Sequence, residues 1–160
     1  MDNNAEITRL KNIVAALRDK ENGCPWDKVQ THESLKPYCI EEAAEVISGI
    51  NILNETGSPD NLKEELGDLL LQIVLHAGIA EEEGLFTFED VAKTVADKMV
   101  RRHPHVFGDR EYTGEEIHAS WKEIKAREKE GREWEENYLP GAFDEAAHLI
   151  EVAKKRKGFD

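Results

Sequence analysis

What this 160-residue chain has little of limits what it can be. No run of about 18 or more apolar residues occurs, the length a membrane-crossing helix needs. The best candidate, Leu66 to Ala80, is broken by Asp68, Gln72 and His76. Met1 to Glu6 is polar and carries Asp2 and Glu6, unlike the basic and then apolar start of a signal peptide. A cytoplasmic location is therefore expected, with no membrane partner. Cysteine is nearly absent. Cys24 and Cys39 are too few for a disulfide framework and match no zinc spacing, so both are read as reduced thiols. Basic residues are outnumbered, 21 Lys plus Arg against 34 Asp plus Glu, for a formal charge of −13. A protein that grips a nucleic-acid polymer needs a basic stripe, so that partner is not expected either. A small phosphorylated ligand stays compatible with the charge.

What is present is helical. Ile7, Leu10, Val14 and Leu17 recur at helical spacing and predict a first helix over residues 5 to 20. Leu35, Cys39, Ala43, Val46, Ile50 and Leu53 predict a second, from His32 to Asn54, with Pro37 tolerable in its first turns. A third, capped by Ser58 or Asp60, runs from Leu62 through Leu66, Ile73 and Ala80 to near Gly84. Thr87 with Asp90 and Thr113 with Glu116 resemble capping boxes for a fourth helix, ending ahead of Pro104, and a fifth through Trp121. A sixth begins near Pro140. No alternating run suits a strand, so the expected class is an all-α bundle. Residues 1–130 read as the main domain and 131–160 as a polar linker with a C-terminal helix. Aliphatic residues occupy nearly every side of the third helix. Such a helix is central, and in a short chain the missing cover is a second subunit, so a homo-oligomer built on helices two and three is expected.

The chemistry-bearing residues lie on those two helices. Glu42 and Glu45 fall one turn apart on one face, as do Glu65 and Asp68, and Glu41 and Glu64 are neighbouring acids. Each pair borders its helix's apolar arc, centred near Val46 and Ile50 on one helix and Leu66 and Ile73 on the other. If the arcs pack together, the acid pairs converge. Acids three apart are common on solvated helix faces; two pairs in matched relation to two central helices are what single this pattern out. Gathered carboxylates repel and have raised pKa values unless a cation joins them. Oxygen-only ligands favour Mg²⁺ or Mn²⁺. Gln72 and His76 continue the stripe, either as residues supporting a ligand or as satisfied interior groups. A basic complement, Lys98, Arg101, Arg102, His103 and His105, closes the fourth helix and suits a phosphate, although helix C-termini favour basic residues in any case. Trp26 and Trp121 are open to stacking or packing roles.

Gly23-Cys-Pro-Trp-Asp-Lys-Val-Gln-Thr31, Glu41-Glu42-x-x-Glu45, Glu64-Glu65-Leu-Gly-Asp68 and the block from Lys98 to Gly108 together resemble the MazG nucleoside triphosphate pyrophosphohydrolases. The likeness covers nearly the whole chain. It implies a MazG-like helical bundle completed by dimerisation, and Mg²⁺-dependent hydrolysis of NTPs and dNTPs to monophosphate and pyrophosphate. It assigns metal to Glu42, Glu45, Glu65 and Asp68, phosphate contacts to Lys98, Arg101 and Arg102, and a place near the nucleotide to Trp121. Glu41, the adjacent acid, becomes the candidate for orienting the attacking water. Metal polarisation of the phosphates, with cations on the leaving pyrophosphate, removes the need for a protein nucleophile. Many family members carry two such domains, and this chain resembles the first, with Leu139-Pro-Gly-Ala and Gly158-Phe159-Asp160 like the link to a second.

Three functional classes follow. The leading one is a pyrophosphohydrolase that cleans or regulates the nucleotide pool, as a homodimer or higher homo-oligomer. The second is a catalytically silent nucleotide-binding or dimerisation module of the same fold. The third is a di-iron carboxylate bundle, which wants two ExxH motifs; Glu115 to His118 is the one counted, and the class is set aside.

Overall fold

A computed structural model describes residues 5–108 and 113–159. Met1 to Asn4, where the polar N-terminal stretch begins, and Asp160 lie outside the described residues. Every helix or turn element among these residues is helical, as expected: α1 (Ala5–Leu17), a 3₁₀ turn at Asp27–Val29, α2 (His32–Thr56), α3 (Asp60–Glu82), α4 (Phe88–Arg102), the single-turn α5 (Pro104–Phe107), α6 (Gly114–Lys129), a 3₁₀ segment at Glu133–Tyr138, and α7 (Leu139–Lys157). The expected fifth and sixth helices are thus α6 and α7. None of the helices is long and apolar enough to cross a membrane. The chain divides into two compact units, one formed by residues through Phe88 together with those from Asp144 onward, the other by Glu89–Phe143.

The first unit is built around α3. Its buried residues Val74, Leu75 and Ile79 pack with Val14 of α1 and Leu35 of α2 into the core, and Phe88 closes it. α1 ends at Leu17, three residues before the expected residue 20: the Asp19 amide bonds to Ala16 in a tighter turn, and the Leu17 carbonyl accepts from Cys24. The Arg18 side chain is only 4% exposed. It donates to both carboxylate oxygens of Glu82 at 2.7 and 2.9 Å, and to the carbonyls of Asp27 and Gln30 at 2.8 and 3.2 Å. A buried charge is tolerated when its donors are satisfied in this way. The pairing locks the end of α1, the 27–30 turn and the end of α3 together. Gly23 belongs to the same corner: a Cβ there would lie 2.5 Å from the Leu17 carbonyl oxygen.

α2 starts with a capping box in which Thr31 accepts from the Ser34 amide and Ser34 accepts from the Thr31 amide. It runs two residues past the expected Asn54 and stops at Gly57, whose φ of 75° is left-handed and open to glycine without strain. The cap of α3 is Pro59, with no side-chain hydrogen bond, and neither Ser58 nor Asp60 fills that role. Asp60 instead occupies the first turn, where its charge favours the helix N-terminus, and pairs with Lys63.

α2 and α3 approach closely at Gly49, where a Cβ would stand 2.8 Å from the Leu62 Cα. This corrects the expected seam. Val46 is half-buried, but Ile50, Leu66 and Ile73 are 42%, 49% and 42% exposed. The small residue decides where two helices can meet, and the larger aliphatics are left on an open face.

In the second unit α4 ends at Arg102, ahead of Pro104, as expected. Thr113 and Glu116 form the reciprocal capping box of α6 that their spacing suggests, at 3.3 and 2.8 Å.

Candidate active site

One turn of α2 carries Glu41, Glu42 and Glu45, and the facing first half of α3 carries Asn61, Glu65 and Asp68. Glu42, Glu45 and Glu65 each offer a carboxylate oxygen, and these three oxygens lie within 4.8 Å of one another. Ligand oxygens around one octahedral Mg²⁺, at bonds of about 2.1 Å, stand no more than about 4.2 Å apart. Separations bounded at 4.8 Å are of that order, and the donors are all oxygen, so the residues fit a hard divalent cation. Asp68 is outside the triplet, yet its charge is felt there. Burial pushes the Glu42 carboxyl above its ordinary range, repulsion from Asp68 and Glu65 adds to the rise, and Lys157 offsets part of it. The electrostatic cost anticipated from the spacing is therefore present.

The supports of this group were not visible in the sequence. Asn61 donates its amide to Glu65 at 2.8 Å, and its own Oδ1 is buried and without a partner among the described residues. Both oxygens of Glu41 are engaged by the end of α7, one by Arg156 and the other by Lys157 at 3.0 Å. Lys157 also contacts Glu45. A protein cation thus rests on one of the candidate metal ligands. Glu64, on the outer side of α3, is exposed.

Gln72 and His76 divide between the two readings. His76 is a satisfied interior group: its Nδ1 is 2.7 Å from His32 Nδ1 and its Nε2 is 3.3 Å from Cys39 Sγ. Burial, with repulsion from His32, lowers its pKa, so it is neutral near pH 7. Gln72 is buried with Oε1 unpartnered among the described residues. Both cysteines are free thiols, and burial, with the Glu42 charge, raises the Cys39 pKa and so disfavours its thiolate.

The basic residues expected to meet phosphate stand in the second unit, and two of them are already paired. Arg102 donates to Glu128 Oε2 at 2.9 and 2.6 Å, and Arg101 to Oε1 at 3.2 and 2.9 Å. Burial pushes the Glu128 carboxyl up, and the two guanidinium groups outweigh that and hold it below its ordinary range. Lys98 is half-buried and makes no ion pair among the described residues. Trp121 is covered by cations, with Arg102 5.6 Å and Lys125 4.6 Å from its ring centre. Trp26 packs edge-on against Tyr38. A second ExxH, Glu145 to His148, stands on α7 besides Glu115 to His118, but Glu145 is bound to Lys36, and the group of metal-ligand side chains found among the described residues contains no histidine.

A family model described as the MazG nucleotide pyrophosphohydrolase domain matches residues 30–107. The crystal structure of a MazG-related protein from Thermotoga maritima superposes with a TM-score of 0.59 at 30% identity, over 98% of that chain and 74% of this one. The chain belongs to the MazG family. Two curated relatives agree. The nucleoside triphosphate pyrophosphohydrolase/pyrophosphatase MazG of T. maritima is 48% identical over 155 residues, covering 94% of this chain and 57% of that protein. The nucleoside triphosphate pyrophosphohydrolase of Escherichia coli K12 is 46% identical over 125 residues, 78% of this chain and 46% of that protein. The chain spans about half the length of these curated relatives. The MazG match takes in the carboxylates of α2 and α3 and the basic end of α4, and it stops before Trp121 and α7.

Proposed function

We propose that this MazG chain hydrolyses nucleoside triphosphates, NTP or dNTP, to the monophosphate and pyrophosphate, and serves the cleaning or regulation of the nucleotide pool. The observation that carries the reading is the oxygen triplet of Glu42, Glu45 and Glu65, contributed by two facing helices in a chain of this family. When bound, Mg²⁺ or Mn²⁺ supplies Lewis-acid polarisation of the phosphate oxygens. Glu42, Glu45 and Glu65 hold the ion, with Asp68 as the fourth carboxylate. Glu41 orients the attacking water once Lys157 is drawn off it, and Arg101, Arg102 and Lys98 meet the phosphates. No Ser or Cys nucleophile is needed. The open face bearing Ile47, Ile50, Leu66 and Ile73 supports a homodimer or higher homo-oligomer formed through α2 and α3. The free thiols accord with a cytoplasmic setting.

The test is pyrophosphate release across a nucleotide panel with Mg²⁺ and with Mn²⁺. Activity is expected with at least one nucleotide and is lost in Glu42→Ala and Asp68→Ala; activity that survives both substitutions overturns the site assignment. The silent-module reading is favoured by one observation: Arg101 and Arg102 are bound to Glu128, and Lys157 to Glu45, so charges on both sides are answered within the chain. Nucleotide binding with no monophosphate formed under either metal supports that alternative.

A further inference from the structure

A cavity of about 370 Å³ opens between α2, α3 and α7, at the low end of the range for small-molecule sites. Three kinds of group line it. Glu45 and Glu65, two members of the carboxylate triplet, stand on the α2 and α3 side; Lys154 and Lys157 stand on the α7 side; Ile52, Ile150 and Phe159 supply apolar wall. Acids able to hold a divalent cation, cations beside them and an apolar wall are the three surfaces that a metal-bound nucleoside triphosphate presents in complement.

Resting on the functional reading above, we propose that α7 completes the substrate site, with Lys154 and Lys157 as ligands of the triphosphate chain and the apolar wall receiving the nucleoside. The charges explain why these lysines are available. Lys157 lies on Glu41 and Glu45, so a divalent ion arriving at Glu45 and Glu65 repels it. Arg156 remains on Glu41 and keeps the helix end docked. Displaced from Glu45 and left with Glu41 alone, which Arg156 also holds, the ammonium then stands next to the ion, and the phosphate oxygens that come with the ion are its natural further partner. Among the described residues Lys154 is held by an exposed pair with Glu151, 3.0 Å and one turn away, which is weak and easily exchanged. The arginines of α4, by contrast, must break a shared bidentate pairing before they reach any anion.

The test measures binding as well as turnover. Titration calorimetry with a non-hydrolysable α,β-methylene dNTP in Mg²⁺ is run on the wild type, on the double variant Lys154→Ala with Lys157→Ala, and on Lys157→Arg. Mn²⁺ binding without nucleotide is followed by electron paramagnetic resonance. The double variant is expected to bind the analogue about tenfold or more weakly, with Mn²⁺ binding retained or tightened because a competing cation is gone; Lys157→Arg keeps analogue binding. Unchanged analogue affinity in the double variant overturns the inference while leaving the functional reading standing. Tighter analogue binding overturns it too and makes the α7 end a plug on the carboxylates. Loss of Mn²⁺ binding overturns it by making the lysines structural. A wild-type chain that fails to bind any such analogue overturns the functional reading itself.

Discussion

The two charged centres of this molecule differ in how far their charge is answered. At the ends of α4 and α6, Glu128 receives four donors from Arg101 and Arg102, and its carboxyl is held in the ionised form. On α2 and α3 the carboxylates outnumber the cations that reach them. Glu42 is pushed toward its protonated form, Asn61 keeps an oxygen without a partner among the described residues, and a lysine near the end of α7 is shared between two glutamates. A paired cluster is a structural element; a cluster with charge left over is a place where something else binds. Number of charged residues alone does not separate the two.

The largest effect that sharpens this contrast is loss of a triplet member. Glu45→Ala is expected to lower pyrophosphate release by about 10³-fold, some 4 kcal/mol of transition-state stabilisation, with the helical content by circular dichroism unchanged. Next comes the seam that positions the acids. Gly49→Ala pushes a methyl group against the Leu62 backbone and is expected to destabilise the protein by about 1 to 3 kcal/mol in denaturant titration, although alanine is the better helix former. Glu128→Ala leaves Arg102 half-buried without its partner and is expected to cost about 1 to 2 kcal/mol. Glu42→Gln is expected to move stability in the opposite direction, raising it in metal-free buffer by up to about 1 kcal/mol while abolishing turnover. Opposite signs at Glu128 and Glu42 are the contrast in measurable form, and a loss of stability in both variants breaks it.

The smallest effect is in pH dependence. The hydrogen bond from Arg18 holds the Glu82 carboxyl below its ordinary 4.5, with burial opposing and the Arg18 charge assisting. A depressed carboxyl contributes stability that is present above 4.5 and is lost as pH falls through its folded value. Glu42 is raised, so its contribution runs the other way: present below 4.5, lost as pH rises through its folded value. Thermal unfolding of Arg18→Ala and Glu42→Gln across pH 3 to 7 is expected to remove the acid-side loss in the first and the neutral-side penalty in the second.

Much of this is legible in the sequence. Helical periodicity located α1, α2, α3, α4, α6 and α7, because a helix that must bury one face repeats its apolar residues every three or four positions. The Thr113–Glu116 capping box was legible for the same reason: all its partners lie within four residues. The Thr31–Ser34 box was missed because serine stands where glutamate or glutamine marks the pattern. Periodicity misplaced the α2–α3 seam, since it shows that Ile50, Leu66 and Ile73 share an apolar arc without saying what covers it. Arg18 gave no signal at all, and a lone arginine at the end of an amphipathic helix reads as surface.

The sequence by itself determined the helices, their polarity, the acid pairs on α2 and α3 and the likeness to the MazG family, because each depends on residues a few positions apart. Tertiary structure alone decided that Glu42, Glu45 and Glu65 meet while Asp68 stays beside them, that Glu128 claims both arginines, and that Arg156 at the end of α7 reaches Glu41 across 115 positions of chain. Electrostatic partners are chosen by distance in space, and chain folding sets that distance without leaving a local pattern for each pair.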